Sequence, residues 1–300
     1  MDSNGSNAIS LAISSSEEKE IRKDFLSYQT ESPSMYIAFF AKKEGLSVSI
    51  YKVNKKGKTV VVFQGNNAQK AAQKYQSLEK REPLYQNHYP QIGSDEVGTG
   101  DFFGPVCVCA AYLEEKDLPR IEELGITDSK KMNDEYILKI GPTLIQEFEY
   151  SQLSLPNSRF NEIHGQINMN AIKAKMHNRC LLNLYEKHPS SFIYQDQFAE
   201  SSLYFSYLKN EEKVVKNIIF HTKGESLFPA VALGSVIARY SFLRKIECIN
   251  EKYGLSFPLG AGKDVDSFIP YFVDKFGEKE LGNVAKLSWA NYKKWKETHL

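Results

Sequence analysis

The chain has 300 residues, 42% of them hydrophobic and 25% charged, with a formal net charge of +1 and four cysteines. That length can bury one large domain or two smaller ones. No run approaches the roughly 18 to 20 uninterrupted apolar residues of a membrane helix, and M-D-S-N-G-S-N lacks the basic and apolar regions of a signal peptide, so a cytoplasmic protein without a membrane partner is expected. Cys107, Cys109, Cys180 and Cys248 are too scattered for a disulfide framework and lack the C-x-x-C pairing of a zinc site, which leaves buried thiols as the expectation.

In chain order, residues 10–16 are weakly strand-like, S-S-E-E-K-E-I-R-K-D-F-L-S-Y opens a helix, and M-Y-I-A-F-F-A-K-K begins strands. L-S-V-S-I-Y-K-V-N-K-K-G-K-T-V-V-V-F-Q-G reads as a hairpin turning at N-K-K-G-K, and N-A-Q-K-A-A-Q-K-Y-Q-S-L-E-K as a helix. A small α/β domain over residues 1–85 follows, closed by a polar link bracketed by Pro83 and Pro90. It carries 13 Lys and Arg against 9 Asp and Glu, whereas residues 86–300 carry 25 against 28. A mildly basic front end on an acidic-leaning body suits a binding domain attached to a carboxylate site.

Beyond the link a strand runs over Gln91–Asp95 and a second over P-V-C-V-C-A-A-Y-L, where Cys107 and Cys109 share a face. Helical patterns follow in L-P-R-I-E-E-L, S-K-K-M-N-D-E-Y-I-L-K-I and T-L-I-Q-E-F. Then come the strand E-Y-S-Q-L-S-L, a long helix from Met169 to His188, and the strands S-F-I-Y-Q-D and V-V-K-N-I-I-F-H-T. F-P-A-V-A-L-G-S-V-I-A-R-Y-S-F-L-R-K-I is apolar almost all round, which predicts a buried helix. Mixed strands with long helices predict an α/β core with helices on both sides of a mixed sheet.

The chemistry concentrates in carboxylates. Asp95 and Glu96 stand where a strand runs into glycine. On a regular strand they point to opposite faces, and they converge only if the strand bends, which Gly98 and Gly100 make easy. The alternative is a solvated turn. Asp196 ends an apolar strand with Glu200 four residues on, and both can face one point above the sheet edge if residues 198–208 begin a helix or tight turn. Alternatively Glu200 complements a helix N-terminus. Four such carboxylates would repel by roughly 4 kcal/mol per pair at about 4 Å, a cost that a hard divalent cation removes. Glu225, just before the buried helix, reads either as support for that helix or as a secondary metal-site residue. His164, His177 and His221 have no metal-ligand spacing. T-D-S-K-K-M sets Ser129 and Lys130 at a helix start, either a phosphate site or a capped solvated helix. Near the C-terminus Trp289, Tyr292 and Trp295 interleave with Lys286, Lys293, Lys294 and Lys296, as a docked helix face or a stacking platform.

I-G-S-D-E-V-G-T-G-D-F-F-G-P, D-S-K-K, N-x-N-x-x-K-A-x-x-H-N (Asn168 to Asn178), Y-Q-D-Q-F-A-E and A-V-A-L-G-S-V-I-A-R, in this order, resemble the motif set of bacterial ribonuclease HIII, a type 2 ribonuclease H family. The resemblance spans residues 91 to about 296, and the basic front domain looks like that family's TATA-binding-protein-like substrate domain. It implies a ribonuclease H-like fold and endonucleolytic cleavage of the RNA strand of RNA/DNA hybrids with Mg²⁺ or Mn²⁺, leaving 3′-hydroxyl and 5′-phosphate ends. Carried over, the acidic set falls on Asp95, Glu96, Asp196 and Glu200. Gly98, Thr99 and Gly100 would meet ribose 2′-hydroxyls, and Ser129 and Lys130 would hold phosphates. The chain departs from the family's run of alanines at Ala232-Leu233-Gly234-Ser235. The related ribonuclease HII group, which incises at embedded ribonucleotides, has G-R-G in place of G-T-G and takes its fourth acid from the segment matching Lys223 to Ser226. That keeps Glu225 open as the fourth acid. A non-catalytic hybrid-binding protein is the reading from another class. No obligate protein partner is evident, so a monomer is expected. On the front domain, Tyr36, Phe39, Tyr51, Lys52 and Lys58 form the candidate hybrid-binding surface.

Overall fold

The computed structural model describes residues 8–13, 15–52, 59–65, 67–76, 87–126, 129 and 132–299. The chain divides into two units, Met1–Gln86 and Asn87–Leu300.

The first unit runs β1 (Ala8–Ile13), α1 (Ser15–Phe25), β2 (Ile37–Lys43), β3 (Leu46–Tyr51), β4 (Thr59–Gly65) and α2 (Ala68–Gln76). Its antiparallel sheet has the order β1-β4-β3-β2. The β3–β4 pairing is that of the expected hairpin, whose turn residues 54–58 lie outside the described residues. Side chains alternate across a strand, so Leu46, Val48 and Ile50 of β3 are buried while Ser47 and Ser49 between them are not. Phe39, Val61 and Phe63 point the same way, onto Ile21 and Phe25 of α1 and Ala72 and Tyr75 of α2. Phe39, expected on the binding surface, is therefore a core residue at 3% exposure. Tyr36, Tyr51 and Lys52 are exposed, and Lys58 is outside the described residues.

The second unit carries β5 (Gln91–Val97), β6 (Val106–Leu113), β7 (Tyr150–Leu155), β8 (Phe192–Asp196) and β9 (Ile218–His221). Its helices are α3 (Leu118–Glu123), α4 (Asp134–Glu147), α5 (Asn157–His164), α6 (Met169–Tyr185), α7 (Ser201–Tyr207), α8 (Pro229–Tyr253), α9 (Lys263–Phe276), α10 (Glu278–Val284) and α11 (Ala290–His299). The sheet order is β7-β6-β5-β8-β9, antiparallel through β7-β6-β5 and parallel through β5-β8-β9. Two helices expected between residues 129 and 148 are one. Asn133 starts it by accepting a hydrogen bond from the Glu135 N–H at 2.7 Å, and Pro142 does not end it because Ile137, Ile140 and Leu144 are buried on its inner face.

The two faces of this sheet have different covers. Cys107, Cys109, Ala111 and Leu113 of β6 pack against α4 and α8, while Val106, Val108 and Ala110 pack against α6. α8 lies so close to β5 that a Cβ on Gly93 would sit 2.2 Å from the Val231 backbone nitrogen, so only glycine fits there. Cys107, Cys109 and Cys180 are buried as expected, but Cys248 is exposed, because it falls on the outward side of α8. Trp289, Tyr292 and Trp295 pack onto a cluster of Phe102, Phe103, Phe257, Ile269 and Phe272, as a docked face. Among the described residues no helix is long and apolar enough to cross a membrane.

Candidate active site

Strand β5 does not bend at its two acids. It pairs with β6 through Val97↔Cys107, so alternation persists and Asp95 and Glu96 leave on opposite faces. Gly93 and Asp95 face α8, and Ser94 and Glu96 face α6. The parallel register pairs Gly93 with Tyr194 and Ser94 with Gln195, and one further step sets Asp95 beside Asp196 on the α8 face. The carboxyl ends of adjacent parallel strands are where open α/β sheets form ligand crevices.

A third carboxylate joins from the turn after β9. Lys223 adopts a left-handed conformation (φ 60°), which turns the chain so that the Gly224 N–H donates to Asp196 Oδ1 at 2.9 Å. Glu225, 6% exposed, follows immediately. Oxygens of Asp95, Asp196 and Glu225 lie within 4.8 Å of one another. Burial pushes the Asp95 carboxyl well above the usual carboxylate range, and the charges of Glu96 and Asp196 push the same way, against hydrogen bonds from the Ser235 hydroxyl and the Glu96 N–H.

Glu96 has the opposite environment. Lys173 Nζ donates to its Oε1 at 2.6 Å and His177 Nε2 to its Oε2 at 2.9 Å, both from α6. Burial works against the Glu96 charge, but hydrogen bonds from and attraction to His177 and Lys173 outweigh it and hold the carboxyl below its ordinary range.

Neither Glu96, on the opposite sheet face, nor Glu200 is in this group of three; Glu200 is the exposed N-cap of α7, so the helix expected there does form. Gly98, at φ 88°, turns the chain out of β5 where an added Cβ would meet the Pro105 carbonyl at 2.2 Å. Thr99 and Gly100 follow in a cleft of about 800 Å³ that Asp95, Glu96, Asp196, Ser129, Asp134 and Arg239 also line. Ser129 is 4% exposed and shares a hydrogen bond of 2.7 Å with Ser235. Lys130 lies outside the described residues. Arg239, paired to Asp134 by two hydrogen bonds of 2.9 and 2.7 Å, was not singled out from the sequence, although it closes the motif A-V-A-L-G-S-V-I-A-R. Lys286 is also different from expectation. It is fully buried, with Nζ donating to the Asp101 and Gly104 carbonyls at 2.7 and 2.6 Å, and burial pushes its amine down to about 8. It clamps the far end of the glycine turn from inside.

A model of the ribonuclease HII family matches residues 92–292, and one described as a domain of unknown function matches residues 9–87. The chain is 35% identical over 311 residues to the ribonuclease HIII of Bacillus cereus (strain ATCC 10987 / NRS 248), covering 96% of this chain and 98% of the relative. It is 37% identical over 278 residues to the ribonuclease HIII of Phytoplasma mali (strain AT), covering 92% and 93%. Among solved structures it is similar to Bst-RNase HIII in complex with Mn²⁺, with a TM-score of 0.69, 29% identity and coverage of 97% of this chain and 99% of that one.

Proposed function

The chain belongs to the ribonuclease HIII family, and from that premise we propose how its acidic centre cuts nucleic acid. The enzyme is a metal-dependent endonuclease that cleaves the RNA strand of RNA/DNA hybrids, leaving 3′-hydroxyl and 5′-phosphate ends. Asp95, Asp196 and Glu225 offer hard carboxylate oxygens and no sulfur or imidazole, a donor set that fits Mg²⁺ or Mn²⁺. A divalent cation bound there supplies the positive charge and the acidified water that phosphodiester hydrolysis requires.

The chain's own residues do the rest. Asp95, Glu96 and Asp196 remain in this reading from the expected set, and Glu225 takes the fourth place instead of Glu200. The convergence of Asp95, Asp196 and Glu225 within 4.8 Å carries that choice. The cleft beside them admits the RNA strand along Gly98, Thr99 and Gly100, where exposed backbone at Gly100 can meet ribose 2′-hydroxyls. Arg239, with its guanidinium held flat by Asp134, can give a remaining N–H to a phosphate oxygen. Ser129, expected with Lys130 at the phosphates, acts behind Asp95 through Ser235. The basic first unit adds affinity for the hybrid backbone, and the enzyme works as a cytoplasmic monomer.

The test is cleavage of an end-labelled hybrid in Mg²⁺ or Mn²⁺. Asp95→Asn, Asp196→Asn and Glu225→Gln should each abolish it while hybrid binding persists. Full activity in any of the three removes that residue from the site.

A further inference from the structure

The motif Asn168–Asn178 has a division of labour on α6. Asn168 caps the helix by accepting the Ala171 N–H at 2.9 Å, and Asn178 holds the approach to β9 through Lys213 O and Val215 N–H. Ala174 packs against Tyr204 and Leu208 of the segment after β8. Lys173 and His177, four residues apart and so on one helix face, are left with a single common target. Both are buried, at 7% and 0% exposure, and between them they occupy both oxygens of Glu96. A carboxylate only accepts, so His177 carries its proton on Nε2, and Nδ1 meets Ser94 Oγ at 2.9 Å. Lys173 Nζ also lies 3.9 Å from the centre of the Phe198 ring, in the loop between Asp196 and Glu200. Ser94, His177, Glu96, Lys173 and Phe198 thus form one connected line behind the acidic centre.

We infer that Lys173 and His177 are positioning residues that fix the direction of the Glu96 carboxylate for hydrolysis of the hybrid. The inference rests on the reading of Glu96 as part of the site. Glu96 stands on the sheet face opposite Asp95, and among the described residues the side chains that hydrogen-bond its carboxylate are Lys173 and His177, both from α6. Two donors from a rigid helix leave its oxygens no freedom to turn, and the Lys173 contact with Phe198 ties the same helix to the exit of β8.

The experiment uses the full chain, with kcat and KM measured on a continuous RNA/DNA hybrid and folding checked by thermal melting. Glu96→Gln tests the underlying reading and should abolish cleavage; activity like the parent's there sinks that reading. Given an inactive Glu96→Gln, Lys173→Met and His177→Leu should lower kcat by about 10- to 100-fold, the usual cost of losing a group that orients a reacting carboxylate. KM should stay within about twofold. Lys173→Arg and His177→Gln, which still donate toward Glu96, should recover most of the loss. The inference is overturned if folded Lys173→Met and His177→Leu keep kcat within about twofold of the parent, or if the loss falls on KM and the conservative variants restore nothing. Should an apolar variant fail to fold, Lys173→Gln against Lys173→Arg decides, and equal kcat in both overturns it.

Discussion

Replacing Asp196 by asparagine should destroy cleavage and yet leave the metal-free protein at least as stable. At the 4.8 Å that bounds the Asp95, Asp196 and Glu225 oxygens, two full charges repel by about 3.5 kcal/mol at an effective dielectric of 20. Asp95 is driven toward its protonated form by burial and by its acidic neighbours, so at most one such pair persists around Asp196 without metal. Asp196 is only half-buried, and solvent and side-chain relaxation reduce the relief from losing its charge to about 1–2 kcal/mol. Asparagine keeps an oxygen for the Gly224 N–H, so no hydrogen bond need be lost. At about 2–4 °C per kcal/mol for a unit of this size, Tm in EDTA should rise by roughly 2–8 °C. In Mn²⁺ at 100 times its Kd the parent should gain about 2.7 kcal/mol and the variant much less. The pH dependence has a definite sign. Asp95 has a folded pKa above its unfolded value, so its contribution is present below the unfolded value near 4 and is lost as pH rises through the folded one. The metal-free parent should therefore melt lower at pH 8 than at pH 5, with a smaller difference in Asp196→Asn. Scanning calorimetry in EDTA checks all of this, and a clear fall in the Tm of Asp196→Asn there would refute the crowding argument.

Glu225→Gln should remove hybrid cleavage and Glu200→Gln should retain it; the reverse, measured on the same labelled hybrid, would restore Glu200 as the fourth acid. A DNA duplex with one embedded ribonucleotide should be cut poorly beside a continuous hybrid, and efficient incision would indicate ribonuclease HII-like specificity. Removing Met1–Gln86 should weaken hybrid binding and flatten the slope of log K against log salt, whereas unchanged binding would deny the first unit its accessory role. Lys286→Met leaves two buried carbonyls without their donor and should cost about 2–4 kcal/mol in urea unfolding. A loss below about 0.5 kcal/mol would show that the clamp contributes little.

What the sequence disclosed depends on how local the signal was. The β5 and β6 strands, the long α6 and the all-round apolar α8 were legible because their periodicities are strong and their ends are marked. Helices α5, α9 and α10 were not singled out, although Val265, Ile269 and Phe272 lie at helical spacing and are buried. In α9 that pattern competes with Pro270, and only packing onto Phe102 and Phe103 makes the face necessary. Burial of Lys286 could not be read, since a lysine among lysines and aromatics looks solvated until its carbonyl partners are known. Phe39 was assigned to the wrong side of its sheet because β2 carries Phe39 and Phe40 side by side, and a bulge shifts its register between Ile37 and Phe39. At the acids, Asp95 and Asp196 come together through parallel register. Glu225 comes from a turn whose left-handed Lys223 has no sequence signature, whereas Glu200 follows from its place four residues after Asp196 and from the acidic set that the family resemblance implies.

The adjacency of Asp95 and Glu96 has a physical meaning different from the one that adjacency suggests. Two neighbouring acids on an unbent strand are separated by the sheet itself, which lets one strand end serve two environments. On the α8 face, Gly93 admits the helix so closely that Asp95 is nearly dry and crowded by other acids, and its proton is held more tightly. On the α6 face, two cationic or donating side chains make Glu96 easier to ionise although it too is largely enclosed. Environments that drive two carboxyls apart in acidity are what let them take different tasks in one reaction. The division requires both helices, since moving the pair by one residue along β5 would exchange the faces, setting Glu96 among the acids and Asp95 under Lys173 with a side chain one methylene shorter in reach. The order Asp then Glu is thus tied to the length of reach each face demands.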